Sequence, residues 1–509
     1  MKILKKLLAN RITFIFIAIL VQLIAFIGVI IKFKKYFIPF YIVCVLISIV
    51  ALLAILYKKV SPAYKIAWIV LISVFPALGG LLYLFFGFNK LSKRTMRKMQ
   101  YVILKSKDVL VRNDSILSDI KLQSESAANE ANYIQNSSHF PVCVNTQTEY
   151  LSSGELTFKR LIDELKKAKK YIFLEYFIIN QGIMWNSILD ILVDKAKQGL
   201  DVRVIYDDAG CMLTLPKGYD KELEKLGIKC CIFNHVVPVV SLKFNNRDHR
   251  KITVVDGIVG FTGGINLADE YINEYEKYGH WKDTAIMIKG DAVWNFTVMF
   301  LAMWDFLRGT NENFYNFKKN FDCKIYDNGY VQPYSDNPLD DELVGETVYM
   351  NLINKANRYI YITTPYLVID SEMLTALKSA AKGGVDVRII VPNITDSKVA
   401  DAVAKSYYQT LIESGVKLYE YMPGFIHSKT YVSDDEYSVV GSINMDFRSL
   451  YLHFECGVWM YKTKSVSEVK KDFLITLEKC RQITEYDTKS VKWYKSLWCI
   501  VLRVFAPMV

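Results

Sequence analysis

The chain opens on two stretches without a single charged side chain, residues 12–31 (ITFIFIAILVQLIAFIGVII) and 37–57 (FIPFYIVCVLISIVALLAILY). A helix needs about 20 apolar residues to cross a hydrocarbon core of ~30 Å, so each stretch predicts a membrane-spanning helix. The first is too long for the apolar part of a signal peptide, and no small-residue cleavage site follows it. A third apolar run, 66–88, is interrupted by Pro76, Gly79 and Gly80. It reads either as a kinked span or, with a slight preference, as a re-entrant or interfacial segment whose broken backbone is satisfied by neighbours. Residues 1–89 therefore form a membrane region.

Beyond it the pattern changes. Residues 90–139 are basic, then rich in Ser and Asn, and predict a polar linker with some helix. From about 140, amphipathic helices alternate with buried strands. The stretch GELTFKRLIDELKKAKKYIFLEYFII is a helix running into a strand, and ILDILVDKAKQGLDVRVIYDDAG repeats the scheme with Gly199 as the helix stop. The same two units recur at 347–368 and 374–392, where Gly199 aligns with Gly384 and Arg203 with Arg388. Repetition on this scale predicts two similar α/β domains, 140–325 and 326–509, rather than a solenoid.

Charge and cysteine content refine this only slightly. The net charge of +11 over 509 residues favours anionic partners but does not choose between nucleic acid and anionic lipid. Nine scattered cysteines, an odd number with no CxxC pair, argue against a disulfide framework or a zinc site and for reduced thiols. Basic residues flank every apolar run, so the positive-inside rule is not decisive. The densest cluster, Lys90, Lys93, Arg94, Arg97 and Lys98, favours a cytoplasmic start for the soluble part, beside anionic headgroups.

One stretch of the first repeat, HRKITVVDGIVGFTGGIN (249–266), carries His249, Lys251 and Asp256 before a Gly263-Gly264-Ile265-Asn266 turn. Alone it reads as a strand and turn with a charged edge. Its counterpart in the second repeat, HSKTYVSDDEYSVVGSIN (427–444), carries His427, Lys429 and Asp434 before Gly441-Ser442-Ile443-Asn444. Both follow H-x-K-x4-D-x6-G-[GS]-x-N, and that recurrence makes them two halves of one site.

Both copies resemble the paired HKD motif of the phospholipase D superfamily, over about 140–509. Further words are similar to bacterial cardiolipin synthases: YKIAWIVLISVFPALGGLLYLFFG (64–87), LEYFIIN (174–180), NNRDHRKITVVDG (245–257), GGINLADEY (263–271) and the terminal LRVFAPMV (502–509). His453 departs from that pattern, standing where Asn is expected; it reads as a local substitution rather than a third catalytic histidine.

The resemblance implies an α/β fold of two tandem phospholipase D-like α/β/α domains, related by a pseudo-twofold and preceded by transmembrane helices. It implies a phosphatidyltransferase that joins two phosphatidylglycerols into cardiolipin and releases glycerol through a phosphohistidine. Hydrolysis, or transfer to a different alcohol, is the alternative. A two-step displacement needs a nucleophile and a proton carrier, which explains two histidines. By the resemblance His249 attacks and His427 serves the leaving and entering oxygens.

Lys251 and Lys429 supply charge to the phosphate, and Asn266 and Asn444 supply hydrogen bonds. Ser442 offers a hydroxyl there that Gly264 does not. The resemblance implies that Asp256 and Asp434 brace their motif loops, and that Asp283 and Glu455 orient the rings crosswise, Glu455 on His249 and Asp283 on His427. No metal or other cofactor is expected, because no further Asp, His or Cys ligands cluster in the sequence. Expected partners are phosphatidylglycerol and anionic membrane lipid, without nucleic acid. The expected location is the bacterial cytoplasmic membrane, multi-pass, with the catalytic domains on the cytoplasmic side. Glu175 is a candidate contact for the headgroup glycerol. The apolar C-terminal tail with Lys492, Lys495 and Arg503 either packs on the domain or docks on the bilayer.

Overall fold

The computed structural model describes residues 37–58, 61–87, 93–235, 246–321, 328–340, 342–490 and 492–508, together with positions 20, 24 and 28. The first expected span, 12–31, lies outside the described residues apart from those isolated positions.

The chain divides into two compact units. One comprises residues 1–92, 234–246 and 503–509; the other comprises 93–233 and 247–502. In the first unit the second expected span is a helix, Phe37–Tyr57. Among the described residues it is the one helix long and apolar enough to cross a membrane. The third apolar run is broken at its proline, while Gly79 and Gly80 lie within a helix: one helix covers Pro62–Val74 and the next Pro76–Phe86, with Phe75 between them at φ −126° and ψ 71°. Proline supplies no backbone N–H and drives the preceding residue out of the helical region, so the break falls where the sequence puts it. Gly80 then lets this helix approach Phe37–Tyr57 closely; a Cβ there would stand 2.7 Å from Ser48 Cα. Ala51, Ile55, Trp68, Ile72 and Tyr83 fill the contact, with the Trp68 and Tyr83 rings edge to face at 5.1 Å.

The second unit holds two mixed sheets of the same strand order. In the first half the order is 146–151, 285–290, 259–263, 252–255, 171–176, 201–207, 229–233. The second half repeats it as 330–336, 455–461, 437–441, 430–433, 359–363, 386–392, 417–421, and adds 480–482 at the far edge. Strands 171–176, 201–207 and 229–233 run parallel, as the helix-then-strand pattern of the sequence demands, while 252–255 joins 171–176 antiparallel. The tandem α/β fold expected from the repeat is therefore the fold observed.

The halves are not separate globules. One apolar core runs from Phe173, Ile205 and Val254 through the helix Val293–Arg308 to Tyr361, Val432 and Val458. Phe173 stacks on Phe300 at 4.5 Å, and Tyr361 on Phe473 at 4.8 Å.

The segment expected to be a polar linker with some helix carries three helices, Lys93–Val109, Asp114–Gln123 and Glu125–Ser137, more helix than its composition suggests. Asn113 and Ser124 cap the last two, each side chain accepting from a backbone N–H of the first turn. Its polarity misled because the small alanines 127, 128 and 131 all lie on the buried face. Glu130, buried on that face, pairs with Lys355 at 2.8 Å.

Candidate active site

Each motif occupies the same place in its sheet. His249 and Lys251 immediately precede the strand Ile252–Val255, and His427 and Lys429 precede Thr430–Ser433. The motif aspartates sit at the far ends of those strands in left-handed turns, Asp256 at φ 54° and Asp434 at φ 57°. Neither carboxylate faces the histidines. Asp256 accepts the backbone N–H groups of Lys169, Lys170 and Tyr171 at 2.7–2.8 Å. Asp434 accepts those of Asn357, Arg358 and Tyr359 at 2.7–3.0 Å. Each aspartate thus ties the end of the motif strand to the start of its neighbour.

The chain segments leading into the site are zipped across the halves. Strand Gly424–Ile426 runs parallel to His280–Lys282, and the His427 N–H donates to the Lys282 carbonyl at 2.7 Å. Opposite, Asp248 bridges Phe454, and the His249 N–H donates to the Phe454 carbonyl at 2.9 Å. In each case the strand ending at a histidine pairs with the strand ending just before an acid of the other half. The contacts between rings and acids are crossed as a result. His249 Nδ1 lies 2.8 Å from Glu455 Oε1, and His427 Nδ1 lies 2.7 Å from Asp283 Oδ2.

Both acids are fully buried and held by further bonds. Glu455 Oε1 also accepts from Ser449 Oγ at 2.7 Å, and Oε2 accepts from Ser442 Oγ. Asp283 Oδ1 accepts from the Thr284 N–H at 2.8 Å. With Nδ1 occupied, Nε2 is the nitrogen of each ring left to meet a substrate. Aromatic edges surround the rings: Phe177 stands 5.1 Å from His249, and Trp281 and Phe425 stand 5.5 and 5.6 Å from His427.

The lysines converge from the same turns. Lys251 Nζ donates to the His249 carbonyl at 2.6 Å, and Lys429 Nζ to the His427 carbonyl, with 2.9 Å between Lys429 Nζ and His427 Nδ1. Burial works against every charge here. It pushes Lys251 down to about 8 and Lys429 to about 7, and raises the Asp283 carboxyl to about 7. Both histidines fall well below their ordinary value, through burial first and the two ammonium groups second.

Several expected residues take other places. Asn266 does not present a free amide: its Oδ1 accepts from the Ile178 N–H at 3.0 Å and its Nδ2 donates to Tyr271 Oη at 2.7 Å. Ser442 does not present its hydroxyl to a phosphate either, because the hydroxyl is spent on Glu455. In the first half that role is impossible: a Cβ on Gly264 would fall on the Asp283 carboxylate, 2.8 Å from Cγ. Asn444 keeps a buried Oδ1 with no hydrogen-bond partner, so its amide is the one not committed to the framework. Glu175 is not a headgroup contact. It is fully buried and pairs with Arg250 at 2.5 Å, and Arg250 also reaches Asp248 at 3.0 Å.

The sequence reading missed the serine support of Glu455, and it missed a ligand cluster. One donor atom each of His249, His453 and Glu455 lie within 4.8 Å of one another.

Comparison with known proteins places the chain in a family. The family model described as cardiolipin synthase, PLD-like domain, matches twice, at residues 161–304 and 349–476. The model described as phospholipase D-nuclease N-terminal matches residues 46–87. An uncharacterized protein of Streptococcus mutans is 45% identical over 448 residues, covering 87% of this chain and 96% of that one. A cardiolipin synthase of Halalkalibacterium halodurans is 33% identical, covering 88% of this chain and 89% of that one. In fold, the crystal structure of phosphatidylserine synthase from Haemophilus influenzae is similar with a TM-score of 0.55 at 18% identity, over 74% of this chain and 97% of that one. Two matches of one family model, one on each motif-bearing sheet, and a curated relative aligned over most of both lengths have one reading: the chain belongs to the cardiolipin synthase family of phospholipase D-like proteins.

Proposed function

We propose that the protein is a cardiolipin synthase that transfers a phosphatidyl group from one phosphatidylglycerol to the glycerol hydroxyl of another. The observation that carries the reading is the crossed pair of histidine–carboxylate contacts, His249 with Glu455 and His427 with Asp283.

In the first step His249 Nε2 attacks phosphorus. An N–P bond forms, the P–O bond to the headgroup glycerol breaks, and His427 gives that oxygen its proton. Glycerol leaves. In the second step the headgroup hydroxyl of another phosphatidylglycerol loses its proton to His427 and attacks phosphorus. The N–P bond breaks and His249 is regenerated. Lys251 and Lys429 balance the charge that builds on the phosphoryl oxygens, and Asn444 adds an amide donor. Glu455 and Asp283 fix each ring with Nδ1 turned inward and stabilise the cation each ring becomes. One phosphodiester is exchanged for another, so no nucleotide is consumed.

The buried, aromatic-walled surroundings favour a lipid alcohol over water as acceptor. Both substrates are lipids, and the apolar helix Phe37–Tyr57 supports a place in the membrane. The basic run Lys93, Arg94, Arg97 and Lys98 supports a cytoplasmic side for the motif-bearing unit. The C-terminal helix Trp493–Phe505 buries none of its residues and leaves Trp493 and Trp498 exposed beside Lys495 and Arg503, which supports contact with the headgroup layer.

Purified protein incubated with phosphatidylglycerol alone tests the reading. Cardiolipin and glycerol in equal amounts are expected. Phosphatidic acid instead would make the protein a hydrolase. Turnover equal in wild type and His249→Ala would refute both.

A further inference from the structure

His453 lies against the candidate catalytic pair, and the transfer reaction has no use for it. Its ring centroid is 5.5 Å from that of His249, and its Nδ1 is 3.7 Å from Glu455 Oε1. Both of its ring nitrogens are buried without a hydrogen-bond partner. A neutral imidazole carries one donor and one acceptor, and leaving both unmatched out of water is costly. Such a group calls for something bound between it and its neighbours.

The neighbours have the right chemistry. Two imidazoles and a carboxylate are the donor set of open zinc sites, which keep a fourth position for water or substrate. Donor atoms at about 2.0–2.1 Å from a tetrahedral ion stand roughly 3.3–3.4 Å apart. The spacings of 2.8 Å from His249 Nδ1 and 3.7 Å from His453 Nδ1 to the same glutamate oxygen bracket that value. All three donors fall within 4.8 Å.

We propose that His249, His453 and Glu455 form a binding site for a divalent transition-metal ion of the zinc class, and that filling it turns the enzyme off. The binding half stands on the geometry alone; the inhibitory half rests on His249 being the attacking group. An ion on His249 needs the Nδ1 lone pair, so the single proton of the neutral ring moves from Nδ1 to Nε2 by exchange through solvent, with no net proton lost. Nε2 then carries that proton, and the attacking nitrogen has no lone pair left. Glu455 is drawn to the metal in the same event and no longer supports a charged ring. Lys251 and Lys429 oppose any cation, so affinity must come from the nitrogen donors. This selects zinc, nickel or copper over magnesium and calcium, which rely on oxygen ligands and charge.

The test uses the full-length chain in detergent. Calorimetric titration with zinc chloride is run on wild type, His453→Asn and His453→Gln, and phosphatidylglycerol conversion is measured with zinc, with magnesium, and with zinc followed by EDTA. One zinc per chain is expected in wild type, with affinity at least about tenfold weaker in both variants. Zinc should inhibit wild type over the range that fills this site, EDTA should restore the rate, and magnesium should do nothing. Half-inhibition in each variant, against its own zinc-free rate, should move by the factor seen in calorimetry. Equal zinc affinity in all three proteins overturns the site. Zinc bound through His453 with the transfer rate intact overturns the switch alone. A protein with no lipid turnover at all would fail the functional reading while calorimetry still decides the site.

Discussion

Asp283 belongs to the first motif-bearing half, yet its carboxylate holds His427 of the second, 2.7 Å from Nδ1. The contact exists because strand His280–Lys282, which ends at Asp283, runs parallel to Gly424–Ile426, which ends at His427. Glu455 and His249 are joined the other way, through the bridge from Asp248 to Phe454. A carboxylate on Nδ1 sets the tautomer and favours the charged ring. Asp283→Asn should therefore lower kcat by roughly a hundredfold or more while leaving KM for phosphatidylglycerol nearly unchanged, since the amide keeps the shape and loses the charge. Glu455→Gln should do the same. Steady-state rates on mixed micelles check both, and unchanged kcat in either variant would remove its acid from the mechanism.

The roles of the two rings separate in a trapping experiment. With radiolabelled phosphatidylglycerol, His427→Ala should slow both steps by about 10²–10⁴-fold and still retain label on His249 after acid-free quenching. His249→Ala should retain none. Label in His249→Ala and none in His427→Ala would exchange the assignments.

The motif aspartates should act on stability rather than on the chemical step. Each accepts three backbone N–H groups at the start of a neighbouring strand. Asp256→Ala or Asp434→Ala leaves those donors in a buried or half-buried setting without their charged acceptor, a loss of about 2–4 kcal/mol. Thermal melts in detergent should show a lower midpoint for both. The folded fraction should keep a rate near that of wild type, in contrast to the histidine variants.

The pH dependence comes from opposing ionisations. Asp283, raised to about 7 by burial, carries its charge only above that value. Lys429 and Lys251, lowered by burial to about 7 and about 8, carry theirs only below those values. The competent free enzyme thus occupies a narrow band, and kcat/KM should be bell-shaped with its maximum near pH 7. A bound phosphodiester anion favours the charged lysines, so the alkaline limb of kcat should lie at higher pH than that of kcat/KM. A kcat/KM flat from pH 5 to 9 would contradict this arrangement.

The glycine–serine difference between the motifs is also testable. Gly264→Ser puts a Cβ into the Asp283 carboxylate and should displace the acid from His427, with a loss of rate comparable to Asp283→Asn. Ser442→Gly removes one of the bonds to Glu455 and leaves Ser449 and His249 on the other oxygen, so its effect should be several-fold at most. Equal losses in the two variants would refute the asymmetry.

Much of this site was legible in the sequence because its parts are local and repeated. His249, Lys251 and Asp256 recur at identical spacing as His427, Lys429 and Asp434, and the alternation of helix and strand dictates that they come after the parallel strands. The crossing of Asp283 and Glu455 came from family resemblance; no pattern within either segment encodes a partner more than 140 residues away. Side-chain direction was the second blind spot. Asn266, Ser442 and Glu175 have the right chemistry for a pocket, but Tyr271, Glu455 and Arg250 claim their side chains. Polarity misled at 93–137, where capped helices hide a face of small and aliphatic residues that composition averages away.

The space beside Asp283 has one more consequence. A dimer of identical single-motif chains would place the same residue at both positions corresponding to 264 and 442, and whatever suited one acid would be imposed on the other. Joined in one polypeptide, the halves are released from that constraint: one keeps a glycine where its acid needs the room, and the other a serine where its acid is tethered. Covalent linkage thus permits a division of labour, in which one ring specialises in making a bond to phosphorus and the other in ferrying protons.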